Sequence, residues 1–98
     1  MRVYVVIIAV GMWEKYTKPC IESIKKYEPA IRGIVCVNNG SKITQEQKKE
    51  VDGVRFIDIK DLIAYSKAIN VGLKAITDDA LDSWYIVINN DVLCTNSF

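Results

Sequence analysis

A chain of 98 residues, half of them hydrophobic and 26% charged, has the size and balance of one small globular domain with a single core, which excludes a disordered or fibrous protein. Thirteen basic residues against twelve acidic ones leave a formal charge of +1, too little for the diffuse positive surface of a protein that coats nucleic acid. A specific pocket for a phosphorylated small molecule stays open.

The first predicted element is the strand "VYVVIIAV", residues 3 to 10. The apolar run containing it, Val3 to Trp13, is far short of the roughly 20 residues a spanning helix needs, so no transmembrane segment is expected. It follows Arg2 as a signal-peptide core would, yet it leads into Glu14 and Lys15 without a small-residue cleavage site and is rich in β-branched residues. It reads as a buried strand. Next, "KPCIESIKKYE" places Cys20, Ile21, Ile24 and Tyr27 three or four apart, with Pro19 in the first turn where its missing N–H costs nothing; the spacing predicts a helix. "IRGIVCV" at 31 to 37 is a second strand.

"TQEQKKEV" opens with Thr44 and carries Gln47 three residues later, the spacing of a capping box, and predicts a short polar surface helix. "VRFIDI" at 54 to 59 is a third strand. "YSKAINVGLKAI" puts Tyr65, Ile69, Leu73 and Ile76 on one helical stripe beside a row of small residues, Ala68, Gly72 and Ala75, that lets a helix approach a sheet closely. "WYIVI" at 84 to 88 is the fourth strand. Runs that are continuously apolar suggest a sheet covered on both faces, and their alternation with helices is the pattern of right-handed βαβ units. The expected fold is α/β, a mostly parallel sheet with helices on both faces, as one domain over residues 1–98. Because the sequence stops at Phe98, soon after the fourth strand, that domain is expected to be the first half of a larger one, incomplete at its C-terminus.

Cys20, Cys36 and Cys94 are odd in number, widely spaced and set in apolar surroundings, which suggests neither a disulfide framework nor a metal knuckle and fits a reducing, cytoplasmic setting. The absence of histidine removes a Ser-His triad and a histidine zinc site, and no GxGxxG or GxxxxGK[ST] motif occurs.

Ligands of open parallel sheets bind beyond the carboxyl ends of the strands. After the first strand, in "AVGMWEK", Gly11 lets backbone pass close to a ligand and Trp13 offers a flat face; the alternative is a plain turn with a partly buried Trp. After the second, "VNNGSK" contains the Asn-Gly of a hairpin, but the polar helical segment that follows rules a hairpin out. Asn38 and Asn39 there carry amides suited to a nucleobase edge, or to an ordinary Asx-type turn. After the fourth, "INNDV" gives neutral oxygens from Asn89 and Asn90 and a charged one from Asp91, a set for Mg²⁺ or Mn²⁺ already carrying diphosphate, or else a common polar exit from a strand. Asp78, Asp79 and Asp82 precede a strand and belong to the opposite edge as a solvated turn. Asp58 and Asp61 could suit a phosphoryl-accepting receiver, but the acidic pair it needs after the first strand is replaced by Ala9-Val10-Gly11.

In this order the blocks resemble the N-terminal, nucleotide-binding half of a family 2 glycosyltransferase, from Val3 to Val92. "VVIIAVG" stands where such enzymes have an apolar strand ending in a Pro-Thr-Tyr-Asn-like turn, "PCIESI" resembles their Cys-Leu-Glu-Ser-Ile helix, and "IVCVNNGSK" resembles Val-Val-Asp-Asn-Gly-Ser. "YSKAINVGLKAI" with "YIVINNDV" resembles their Asn-x-Gly helix and the DxD strand. The resemblance implies a three-layer, Rossmann-like GT-A fold. It implies that Ala9, Val10 and Gly11 offer backbone to base and ribose, that Asn39, beside Asn38, faces the base where the family commonly has an aspartate, and that Tyr65, Ser66, Lys67 and Asn70 approach the nucleotide or sugar. Asn89-Asn90-Asp91 would be a degenerate DxD, with Asp91 binding Mn²⁺ or Mg²⁺ on the donor diphosphate.

The Pro-Thr-Tyr-Asn-like turn is absent, Asn38 and Asn39 replace acids, and Ala64 replaces a usual glycine. These departures leave the base open, since an amide pairs with more than one nucleobase edge, and imply weak metal binding without diphosphate. Asn-Asn-Asp-Val resembles the rhamnosyltransferase-like members. The implied activity is transfer of a sugar from a UDP-, GDP- or dTDP-sugar to a hydroxyl of a glycan, lipid or protein, inverting, with the general base in a second half. The alternatives are a non-catalytic nucleotide-binding module and a nucleotidyltransferase, for which "AVGMWEKYTK" is a poor glycine- and lysine-rich loop.

Overall fold

The computed structural model describes residues 2–28, 30–76 and 83–93. The acids at 78, 79 and 82 and Cys94 lie outside the described residues. The order is β1 (Arg2–Ala9), a wide π-helical turn (Trp13–Thr17) continuing as α1 (Lys18–Tyr27), β2 (Gly33–Asn39), α2 (Gln45–Lys48), β3 (Val54–Ile59), α3 (Tyr65–Ala75) and β4 (Ser83–Asn89). The strands form one sheet in the order β3-β2-β1-β4, and each neighbouring pair is parallel. Tyr4 to Ala9 of β1 match Gly33 to Asn38 of β2 on one side, and Arg2 to Ile8 match Ser83 to Asn89 of β4 on the other.

β1 is continuously apolar because both its faces are covered. Val5, Ile7 and Ala9 pack with Trp13, Cys20, Ile21 and Ile24 of the first helical segment, while Val6 and Ile8 pack with Val35, Val37 and Ala68 on the opposite face. The result is three layers. Cys20 and Cys36 are buried thiols, and burial pushes that of Cys36 up to about 12, so it acts as a packing group rather than a nucleophile. No helix among the described residues is long and apolar enough to cross a membrane.

The capping box forms as expected. The Gln47 N–H donates to Thr44 Oγ1 at 3.1 Å and the Thr44 N–H to Gln47 Oε1 at 2.9 Å, and the helix they start is a single polar turn. Two boundaries differ from the expected ones. β2 begins at Gly33 and runs on through Asn38 and Asn39, because parallel partners flank it: Asn38 faces Ala9 on one side and Asp58 on the other. Ladder pairing there overrides the turn propensity of the asparagines.

The first helix also begins earlier, at Trp13. The Tyr16 and Thr17 N–H groups both donate to the Met12 carbonyl, at 2.9 and 3.2 Å, making the turn wide. Pro19 has no N–H for the carbonyl four residues back, so a widened turn upstream loses little by departing from α geometry. Trp13 anchors that turn. It is buried, tilted against Phe56 at 6.0 Å between ring centroids, and donates from Nε1 to Glu50 Oε1 at 3.2 Å. The flat face expected for a ligand is therefore core, as the plain-turn alternative had it.

α3 is centred on its small residues rather than its large ones. Ala68 and Gly72 are buried, Ile69 and Leu73 flank them half-buried, and Tyr65 is exposed. A Cβ at Gly72 would lie 2.5 Å from Val6 Cγ1 and 3.0 Å from Val37 Cγ2. Gly72→Ala therefore sets a helix-propensity gain of about 1 kcal/mol against an overpacking cost of about 1–3 kcal/mol. Since the clashing methyls sit on buried, sheet-anchored valines, net destabilisation is expected, read as a lower urea midpoint at unchanged slope; a raised midpoint would contradict the close helix–sheet contact.

Candidate functional site

With all strands parallel, the ends that carry Ala9, Asn39, Ile59 and Asn89 share one edge of the sheet. β1 is continued by β2 on one side and paired with β4 on the other, so the strand order reverses between β1 and β4. That is where an open α/β sheet leaves a crevice. A cleft of about 280 Å³ lies there, with Asn89, Asn90 and Asp91 on its β4 side, Ile8, Val10, Met12 and Tyr16 on its β1 side, and Tyr65 from α3. A larger cavity of about 440 Å³ opens at the opposite edge, among Lys25, Glu28, Arg32 and Asp52. There, charges of both signs are mixed and Lys25 Nζ is already given to the Asp52 carbonyl at 2.6 Å, so the smaller cleft is the better site.

The β1 side is a sharp turn. Gly11 (φ 68°) and Met12 (φ 58°) are both left-handed, and nothing lies within 4 Å of where a Gly11 Cβ would be, so glycine is needed there for backbone conformation rather than for space. Val10 and Met12 are each 53% exposed beyond buried Ala9. On the β4 side, the Asn90 N–H extends the ladder to the Ile8 carbonyl at 3.1 Å, and its Nδ2 donates to the Gly11 carbonyl and to Thr17 Oγ1, both at 3.0 Å. Asp91 is exposed, and no side chain pairs with it among the described residues. Nor do the described residues contain a cluster of three or more metal-ligating side chains.

The second corner, at the ends of β2 and β3, is closed by its own hydrogen bonds. Asn38 Nδ2 donates to the Ser41 carbonyl at 2.7 Å and to Asp58 Oδ1 at 3.3 Å, while Asn38 Oδ1 accepts from Ser41 Oγ. Asn39 forms a two-bond pair with the backbone of Ile63, Nδ2 to O and N–H to Oδ1, both 3.0 Å. Both amides are buried. Asn38 has spent both its hydrogens; Asn39 keeps one hydrogen and one lone pair. Asp58 is paired with Lys48 at 2.6 Å, and that bond, aided by the Asn38 amide, holds its carboxyl below the usual range.

The sequence-derived candidates thus divide. Val10, Tyr65, Asn89, Asn90 and Asp91 meet in one cleft, whereas Ala9 is buried and neither it nor Gly11 is among the lining residues. Asn38 and Asn39 stand on the same rim with their amides turned to protein partners. Ser66, Lys67 and Asn70 are exposed on α3 and do not line the cleft. Met12 and Tyr16 were not foreseen. Their four-residue spacing carries meaning only once the helix is known to start at Trp13.

The family profile described as Glycosyl transferase family 2 matches residues 4–98. A search of curated proteins found no match to the chain.

The Asn39–Ile63 pair yields a test with a sign. Asn39→Asp cannot donate to the Ile63 carbonyl and sets a carboxylate against it, at an expected cost of about 1–3 kcal/mol when ionised. Repulsion and burial raise the variant carboxyl in the folded state, so the penalty is absent below about pH 4 and develops as the pH rises toward 7. Urea unfolding of wild type and variant across that range should show the gap opening upward.

Proposed function

The chain belongs to glycosyltransferase family 2, and from that premise we propose that the cleft between β1 and β4 holds the diphosphate of a nucleotide-sugar donor, with Asp91 as a ligand of Mn²⁺ or Mg²⁺. Members of this family use nucleotide-sugar donors. The observation that supports the site is the position of Asp91: an exposed carboxylate without a side-chain partner among the described residues, delivered by a parallel strand to the same cleft as the Gly11–Met12 turn. One carboxylate is too few for a dedicated metal cage. It is enough for a hard cation whose remaining ligands are phosphate oxygens and water.

When bound, such a cation would offset the charge that builds on the leaving diphosphate. The chain's own residues bind and orient. Asn89 brings an exposed amide that can donate to phosphate or accept from ribose, and Val10, Met12 and Tyr65 give the nucleoside apolar surface that excludes water. UDP-, GDP- and dTDP-sugars are the donor candidates, a hexose such as rhamnose the sugar, and the acceptor a hydroxyl of a glycan, lipid or protein in the cytoplasm. Asp91 is the one carboxylate among the cleft residues. The base that takes the acceptor's proton in an inverting displacement is therefore assigned to a residue outside this cleft.

A binding module that holds the nucleotide without transferring sugar rests on that same fact and is the second reading. Nucleotidyl transfer is disfavoured, since Lys15 lies over the Tyr16 ring and Lys18 is paired with Glu50 at 2.8 Å, leaving no lysine in the cleft.

Titrating UDP, GDP and dTDP with and without Mn²⁺, while following thermal unfolding, should show protection by at least one of them that depends on metal. Asp91→Ala should weaken the metal-dependent affinity by about ten-fold or more, equivalent to about 1.4 kcal/mol, with little change in unliganded stability. Equal affinity in both proteins at saturating Mn²⁺ would remove Asp91 from this role. Binding without turnover of any donor would favour the module.

A further inference from the structure

We propose that Asn90, the middle residue of Asn89-Asn90-Asp91, is a positioning residue: its amide clamps the β1 turn to the end of β4 and so sets the gap in which the donor is held. The inference rests on the cleft being the donor site. Gly11 and Met12 both lie in left-handed backbone, which a side chain such as methionine rarely adopts unless its surroundings hold it there. Packing is a poor candidate for that hold, because the Met12 side chain is half exposed.

Hydrogen bonds supply it. The Gly11 carbonyl accepts from Asn90 Nδ2 at 3.0 Å and from Thr17 Oγ1 at 3.3 Å, and Thr17 Oγ1 itself accepts from Asn90 Nδ2 at 3.0 Å. Thr17 is fully buried and its N–H closes the wide turn onto the Met12 carbonyl. One amide therefore holds both ends of the segment, Gly11 to Thr17, that carries Met12 and Tyr16 and directly follows Val10. Because a carbonyl only accepts, the atom of Asn90 facing Gly11 must be the nitrogen, and an aspartate could not replace it.

The same residue is covalently next to Asp91 and continues the β1–β4 ladder through its own N–H. The wall that would contact the nucleoside and the carboxylate that would contact the metal are thus joined through a single side chain. Both amide hydrogens are spent inside the protein, so Asn90 acts on the donor through the turn rather than by donating to it.

A double-mutant cycle on the full chain tests this, reading the dissociation constants of UDP, GDP and dTDP with saturating Mn²⁺ well below the melting temperature, for whichever binds. Asn90→Ala should weaken binding roughly ten-fold, and Thr17→Val, which keeps shape but removes the hydroxyl, should weaken it several-fold. Thr17→Ser should bind as wild type. The double variant Asn90→Ala/Thr17→Val should be no weaker than Asn90→Ala alone, since both act through one clamp. If Thr17→Val binds as wild type, or the two losses multiply, Asn90 is a direct ligand and the proposal is wrong; if Asn90→Ala binds as wild type, the clamp has no bearing on the donor. Should Asn90→Ala fold poorly, the Thr17→Val and Thr17→Ser pair decides alone. Asp91→Ala is the reference: if it loses affinity and the clamp variants do not, only this inference falls, whereas if it too binds as wild type the site itself is misplaced.

Discussion

β1 is a strand with no free edge and no free face. Its N–H and C=O groups have water on neither side, so β2 and β4 must pair with it, and both do so in parallel. Its side chains have water on neither face either, so one helical layer must cover Val5 and Ile7 and another Val6 and Ile8. Parallel pairing on both sides then brings the ends of all strands to one edge, and the residues after β1, β2 and β4 become neighbours although they lie tens of positions apart.

What happens at that edge depends on the chemistry of asparagine. A strand end leaves backbone groups without ladder partners, and a neutral amide can donate and accept at once without the desolvation cost of a charge. Asn38 closes its own turn by donating to Ser41, Asn39 ties the segment after β3 to β2 by donating to the Ile63 carbonyl, and Asn90 ties the turn after β1 to β4 by donating to the Gly11 carbonyl. Acids at these places would lack the donor that each bond uses. Against that background Asp91 stands out as the carboxylate of the cleft, exposed and without a side-chain partner among the described residues.

Most of the architecture was legible because it follows from short-range pattern. The apolar strands, the Thr44–Gln47 capping box and the small-residue row of α3 each express a local rule, and each is found where the rule puts it. The misplaced features are those that depend on partners distant in sequence. The start of β2 moved because its register is set by β1 and β3, and the first helix began early, at a wide turn anchored by Trp13 against Phe56 and Glu50.

The sequence by itself determined the α/β class, the parallel sheet and the candidate residues, because continuous apolar runs and helical periods report burial directly. It could not determine which candidates face the cleft. Tyr65 and Lys67 differ by two positions on one helix, and Asn38, Asn39 and Asn90 carry the same side chain with different tasks. Only the tertiary structure decided these, because an amide's use depends on whether a carbonyl from another strand or loop comes within about 3 Å of it, and that approach is a property of the packed sheet.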